Sequence, residues 1–417
     1  MVTYPSDWST YSFDQMFQIY PNNTLPRAML TDKGTVGDIH YGDVLIKYGA
    51  VLTVTDDIPR IRPEYECIAK TRLQEKDIIV ADTAEDETVG KVVQIGKIPF
   101  PLAGGLHTII CRPLIPTAPG FLGYYMNSKE YHDQLIPYIT GIKVSSISKS
   151  SIKKTELHIP AIPEEQAAIV EVINRFDRHI THLAELIVKK KTIREGAVTD
   201  LMTGKTRLAG FHEDWIVVPF GEYFAIQKNN TYARDQLTDH GTVGNIHYGD
   251  VLIKYGDTVS ESDAIPFLKP GVAFSEKWLL QKNDVVIADT AEDETVGKAI
   301  QIGDISFPLV GGLHTIVCRP LTETAPGFLG YYINSRAYHD QLLPHITGIK
   351  VSSVSKKSIK LTEIRIPGDV KEQEAIAETL AAMDAEIASL TIEREKMIQI
   401  REGAMNDLLT GRVRLSL

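Results

Sequence analysis
Along the first 160 residues the apolar positions fall in short runs, DVLIKYG from Asp43, DIIVADT from Asp77, HTIICRPL from His107 and ELHIP from Glu156, set among Gly, Pro, Asn and Asp. Runs of that length with that punctuation predict strands joined by turns. A short helix is predicted over Gly120–Ser128 (GFLGYYMNS) and again over Gly327–Ser335. Beyond Pro160 the period changes. From Pro163 to Thr203 the single glycine is Gly196, and apolar residues recur at Ile169, Ile173, Phe176, Ile180, Leu183 and Ile187, alternately four and three apart. That spacing is the a/d stripe of a coiled-coil helix. Pro163 with Glu164 and Glu165 suits the helix start, where proline gives up no hydrogen bond and carboxylates face the positive end of the dipole. Gly204, followed by Lys205 and Arg207, suits its stop. Roughly 40 residues at 1.5 Å each make a rod of about 60 Å, too long to lie on a domain of this size without projecting from it.

The second half of the chain repeats the first. GTVGDIHYGDVLIK at Gly34–Lys47 returns as GTVGNIHYGDVLIK at Gly241–Lys254, an offset of 207 (241 less 34). The same offset relates ADTAEDETVGK at Ala81 and Ala288, GGLHTI at Gly104 and Gly311, TGIKVSS at Thr140 and Thr347, and IREGA at Ile193 and Ile400. The helical stripe recurs at Ile376, Leu380, Met383, Ile387 and Leu390. Two copies of one unit fill the chain, which predicts domains over 1–160 and 208–367 and long helices within 161–207 and 368–417. Each apolar stripe needs a partner, and the other copy supplies one. The copies differ most over 50–76 and 257–283.

Composition narrows the class. With 43% hydrophobic and 24% charged residues, the chain is neither disordered nor fibrous. No apolar run approaches the roughly 18–20 residues of a membrane span. The opening MVTYPSDWSTYSFDQ lacks the basic and apolar regions of a secretory signal, so the expected compartment is the cytoplasm. Cys67, Cys111 and Cys318 lack metal-type spacing and are expected to be buried thiols. Lys+Arg 44 against Asp+Glu 54 gives a net charge of −10, so a nucleic-acid role must rest on local patches or on a partner's charge.

Catalytic signatures are missing. TGKT at Thr203–Thr206 imitates the tail of a phosphate loop, but the earlier glycine would fall at Thr199 and the segment ends a helix instead of beginning one. No GxGxxG after a strand, HExxH, G-x-S-x-G or NPP is present. The acidic run AEDE at Ala84–Glu87, repeated at Ala291–Glu294, could offer paired carboxylates but reads first as a solvated turn between two strands. No catalytic residue and no metal site is expected, which leaves a binding and positioning device.

Several strings are recognisable together. TGIKVSSISKSSIKKTELHIPAIPEEQAAIVEVINRFDRHITHL from Thr140, then LMTGKTRL from Leu201, are repeated once; Ile159–Pro160 with Glu164–Gln166 and Ile366–Pro367 with Glu372–Gln373 lead into the helices, and LLTGRVRL closes at Leu408–Leu415. With DIIVADTAEDETVGK, this order resembles the specificity (S) subunit of type I restriction-modification enzymes over the whole chain. The resemblance implies an α+β fold of two mixed α/β, strand-rich target recognition domains joined by two long helices in an antiparallel coiled coil. It further implies that each domain reads one half of a split site in double-stranded DNA, while the helices set the spacing and dock two methyltransferase (M) subunits. No cofactor is then expected in this chain: S-adenosylmethionine and the flipped adenine belong to the M subunits, ATP and Mg to up to two restriction (R) subunits. Near-identical domains related by a pseudo-twofold axis imply an interrupted palindrome. If the divergent stretches touch bases, the half-sites differ.

Base and backbone contacts need donors, acceptors and cations. The densest candidate is Lys143–Lys154, where Lys143, Lys149 and Lys153 accompany Ser145, Ser146 and Ser148, matched by Lys350, Ser352, Ser353, Ser355, Lys356 and Lys360. A second is His40 and Tyr41 with Lys47 and Tyr48, matched by His247, Tyr248, Lys254 and Tyr255. The bland readings are a polar loop for the first and an amphipathic strand and turn for the second. His107–Thr108 and His314–Thr315 are weaker candidates, equally readable as histidines at the edge of the core. The rival function is a duplicated β-rich adaptor that binds no DNA, which the negative charge favours.

Overall fold
The computed structural model describes residues 4–141, 143–292, 295–348 and 350–416. The chain forms two compact units, Met1–Ala184 with Ile392–Leu417, and Glu185–Thr391. Each unit therefore holds one globular domain, the opening half of the helix that leaves it and the closing half of the other long helix.

In unit 1 a five-stranded sheet runs in the order Phe17–Tyr20, Thr108–Pro113, Ile78–Ala81, Val92–Ile95, Val51–Leu52. Its pairs are antiparallel except the last, which is parallel. Alternation sorts its side chains: Ile78, Val80, Ile109 and Cys111 enter one core, while Ile79, Ala81 and Ile110 enter another. Both faces are covered, which is why IIVA reads as an unbroken apolar run. A four-stranded sheet, Leu102–Gly104, Gly37–Ile39, Arg60–Ile61, Leu30–Thr31, lies beside it in the chain's topology, and two short ladders complete the domain. Unit 2 repeats this order, with Val285–Ala288 at the centre of its five-stranded sheet.

Two expectations are corrected. DVLIKYG is not a strand: Tyr41–Ile46 and Tyr248–Ile253 are helices. The His40 ring accepts the Gly42 N–H at 3.3 Å as an N-cap, and Arg27 grips Asp43 through two contacts of 2.9 Å. Val44 and Tyr48, four residues apart, turn into the core, whereas Ile46 is 89% exposed. That is helical and not alternating burial. Of the cysteines, Cys111 and Cys318 are buried on central strands, but Cys67 is exposed on the short helix Pro63–Ile68.

The long helices span Pro163–Met202 and Val370–Leu409, 40 residues each. In unit 1 His179 meets Glu393 at 3.4 Å, Asp177 meets Arg401 at 2.8 Å and Glu165 meets Arg414 at 2.5 Å. In unit 2 Lys190 meets Glu386 at 2.6 Å, Arg194 meets Asp384 at 2.9 Å and Arg207 meets Glu372 at 2.5 Å. As one number rises the other falls, so the helical segments run antiparallel within each unit.

These contacts explain the Glu–Gln lead-in. Gln166 accepts the Ala118 N–H and donates to the Pro160 carbonyl, both at 2.9 Å, tying the helix start to the domain. Gln373 does the same with Ala325 and Pro367. Gly204 and Gly411 end the helices at φ +68° and +71°, in the left-handed region where glycine has no Cβ to strain. The apolar stripe is divided in its duties. Ile169 and Ile173 lie in the domain core with Met405, Leu408 and Leu409 of the incoming helix, as Ile376 and Leu380 do with Leu201 and Met202. Further along, Leu183 and Ile187 are buried, whereas Phe176, Ile180, Met383, Ile387 and Leu390 are half-buried.

Candidate nucleic-acid interface
The serine-rich candidate begins as a strand. Ser145–Ser146 pairs antiparallel with Thr83–Ala84, and the next amide, Ile147 N–H, donates to the Asp82 carbonyl at 2.9 Å. Asp82 in turn donates its N–H to the His107 carbonyl at 3.1 Å. Tyr41, at the start of the Tyr41–Ile46 helix, sets its ring edge-on to His107 with centroids 5.3 Å apart. The two candidate strings, some hundred residues apart in sequence, thus meet around His107.

Unit 2 builds the same surface from Ser352–Ser353, Thr290–Ala291, His314 and Tyr248, with ring centroids 5.2 Å apart. Thr83 donates its hydroxyl to Asp82 Oδ1 at 2.8 Å, and His107 Nδ1 lies 3.3 Å from Thr83 Oγ1 and 3.4 Å from Asp82 Oδ1. The corresponding distances in unit 2 are 2.8, 3.2 and 3.2 Å. Asp82, Thr83, Asp289 and Thr290 were missed as candidates. The trace they left was the ADT string, identical in both copies and directly after a central strand.

The remaining candidates separate by exposure. Lys143, Lys149, Lys350 and Lys356 are exposed. Ser148 and Ser355 cap the short helices Lys149–Ile152 and Lys356–Ile359, each accepting a backbone N–H at 3.0 Å. Lys153 pairs with Asp14 at 2.9 Å and Lys47 with Asp57 at 2.6 Å. The positions matching those acids are Gly221 and Ala264, and Lys360 and Lys254 have no carboxylate partner among the described residues. Tyr48 and Tyr255 are buried in the core, and burial raises their phenol pKa values, so they hold the short helix in place and do not face solvent. His40 and His247 are likewise buried as helix caps, with burial lowering their pKa values.

The acidic run forms an exposed turn after Thr83–Ala84; of its repeat, Asp293 and Glu294 lie outside the described residues. Among the described residues no group of three or more His, Cys, Asp or Glu side chains is placed to hold a metal ion. No helix among them is long and apolar enough to cross a membrane.

Comparison with known proteins gives a consistent result. The family model of the type I restriction modification DNA specificity domain matches residues 5–189 and 212–400, once per copy. The chain is 24% identical over 439 residues to the protein named as the specificity subunit of type I restriction enzyme MjaX in Methanocaldococcus jannaschii, covering 99% of this chain and 95% of that one. It is also 24% identical over 295 residues to the MjaVIII specificity subunit of the same organism, covering 66% of each chain. Among solved structures, the S subunit of a type I restriction-modification system from M. genitalium matches at TM-score 0.54 and 14% identity, over 98% of this chain and 96% of that one. A chain from a structure of the assembly and conformational transition of a type I R-M system matches at TM-score 0.61 and 15% identity, over 99% and 100%. At such identities the structural likeness speaks for the fold.

Proposed function
The chain belongs to the type I restriction-modification DNA specificity family, and on that premise we propose that its two recognition domains read the same half-site, inverted across a gap. A subunit of this family supplies the choice of DNA sequence, and the rival adaptor reading is not favoured by the family match. The observation that carries the palindrome is the repeated surface: Tyr41, Asp82, Thr83, His107, Ser145 and Ser146 recur at an offset of 207 residues with the same contacts. Equivalent readers at equivalent positions select equivalent bases.

The long helices set the gap and offer their outward faces to two methyltransferase subunits. Those subunits carry S-adenosylmethionine and take up the extruded adenine, and restriction subunits supply ATP- and Mg-dependent cleavage. This division leaves the present chain without chemistry of its own, working in the cytoplasm where the DNA is. Partner charge then offsets the net −10, and Lys143, Lys149, Lys350 and Lys356 give local phosphate contacts.

The test is a methylation map of DNA from cells expressing the chain with the methyltransferase subunit of its system, against cells expressing that subunit alone. A split, inverted-repeat adenine motif that appears only with the chain is the expected result. Two unrelated half-sites would overturn the palindrome while keeping the family role; no added motif would overturn both.

A further inference from the structure
His107 and His314 adopt φ +55° and +54°, a backbone conformation that a non-glycine residue holds only at a cost. Both copies keep the strain, and the fold makes visible use of the ring. Its Nδ1 side faces two oxygens, Thr83 Oγ1 and Asp82 Oδ1, and Tyr41 packs edge-on against it. The single hydroxyl proton of Thr83 is committed to Asp82 at 2.8 Å, which leaves Thr83 Oγ1 as an acceptor toward the ring. A carboxylate oxygen is an acceptor only. With acceptors alone on that side, the neutral imidazole carries its proton on Nδ1 and its lone pair on Nε2.

Nε2 has no partner among the described residues, and the side chain is 48% exposed in unit 1 and 46% in unit 2. An acceptor with the Asp82 carboxylate behind it is a poor place for a phosphate. It suits a neutral hydrogen-bond donor. In a DNA groove the base-edge donors on the major-groove side are the amino groups of adenine and cytosine.

We propose that His107 and His314 are specificity-determining residues, each presenting Nε2 to the exocyclic amino group of an adenine or a cytosine at the equivalent position of its half-site. The proposal rests on the DNA-reading function above. Asp82 and Thr83, with Asp289 and Thr290, are positioning residues that fix which ring nitrogen carries the lone pair.

The experiment uses the whole chain with its methyltransferase subunit and compares wild type with His107→Ala and His107→Gly. Both remove the ring and put no hydrogen-bonding group in its place, and Gly also relieves the left-handed strain, so at least one variant keeps the fold. In both, one base pair of one half-site should lose its preference by roughly tenfold or more. The half-site facing His314 should stay as it was, and the slope of log K against log salt should not change. DNA that lacks only the amino group at that position, purine for adenine or 2-pyrimidinone for cytosine, should weaken the wild type and leave the variants unaffected.

Variants that keep the wild-type preference at every position overturn the proposal. A uniform loss of binding with the salt slope lower by about one also overturns it, since that marks a phosphate contact. A wild-type map without any split motif would instead overturn the DNA-reading function itself, so the two failures are distinguishable.

Discussion
Where each recognition domain meets the long helices, the two units use equivalent residues to different effect. In unit 2 Arg194 sits between two carboxylates, Asp384 at 2.9 Å and Asp257 at 2.8 Å, and Asp257 also accepts from Asn334 at 2.7 Å. In unit 1 the equivalent Arg401 reaches Asp177 at 2.8 Å, but Ala50 stands where unit 2 has Asp257. Two ion pairs inside the domains, by contrast, are the same in both units. Arg27–Asp43 recurs as Arg234–Asp250, and Arg112–Asp77 as Arg319–Asp284. Asp257 opens the stretch over which the copies diverge most, so part of that divergence concerns how a domain is held to the helices. Glu66 lies in the same divergent stretch but acts inside the domain, binding the Thr35 N–H and hydroxyl at 2.7 Å where unit 2 has Ala273.

The largest expected effect lies at this joint. Arg194→Ala leaves Asp257 and Asp384 facing each other without their cation, in a site where Arg194 is only 25% exposed. Removing one partner of a buried pair costs about 3–5 kcal/mol, and partial exposure reduces that here to about 2–3 kcal/mol. Arg401→Ala abandons a single carboxylate and should cost about 1 kcal/mol. Urea unfolding of the two variants measures the gap, and equal losses would mean that Asp257 adds nothing to the joint.

A second difference is a single substitution in the shared motif, Asp38 in unit 1 against Asn245 in unit 2. Asp38 is fully buried, with Oδ2 accepting from Asn23 at 2.7 Å and Oδ1 unpartnered. Burial pushes its carboxyl up to about 6. A folded pKa above the unfolded one gives stability that is complete below about pH 4 and lost as pH rises through about 6. Asp38→Asn removes this dependence. The difference in unfolding free energy, variant minus wild type, should rise by about 2 kcal/mol between pH 4 and pH 8. A flat difference across that range would show that Asp38 titrates as an ordinary carboxylate.

Much of this architecture was legible beforehand because the signals are local and periodic. The tandem repeat, the a/d stripe and the stop glycines each depend on residues within a few turns of one another. DVLIKYG was not legible, since a three-residue apolar run has no period that separates strand from short helix. What decides it, Arg27 reaching Asp43 and His40 capping Gly42, is partly tertiary. The double duty of the stripe was hidden for a similar reason. Ile169 and Leu183 look alike in sequence, yet only Ile169 lies in the domain core. Least legible was the meeting of Ser145–Ser146 with Thr83 and His107. Strands of two residues, paired across some sixty positions, leave almost no pattern of their own.

The smallest of the three effects concerns a residue forced into the left-handed region in both units, Lys76 at φ 74° and Asn283 at φ 70°. Asn is the better tenant there, because its short polar side chain offsets part of the cost through local hydrogen bonds. It also has a further use in unit 2. Gln301, fully buried, donates from Nε2 to Asn283 Oδ1 at 3.0 Å and to the Ala325 carbonyl at 3.1 Å. Its equivalent Gln94 is as buried, holds the Gly123 N–H at 3.1 Å through Oε1, and leaves Nε2 without a partner. A lysine at position 76 offers no acceptor to that amide; its ammonium goes instead to the Thr117 carbonyl at 2.9 Å. Lys76→Asn therefore relieves backbone strain and satisfies an orphaned buried donor in one step, while the new amide can take over the Thr117 contact as Asn283 does with Thr324. Since an unsatisfied buried donor costs about 1–3 kcal/mol and the fit will be imperfect, the expected gain is about 1 kcal/mol. Asn283→Lys should lose a similar amount. Denaturant midpoints of the two variants read both arms, and if Lys76→Asn failed to stabilise while Asn283→Lys destabilised, the orphaned Gln94 amide would have to be satisfied by water in the native protein.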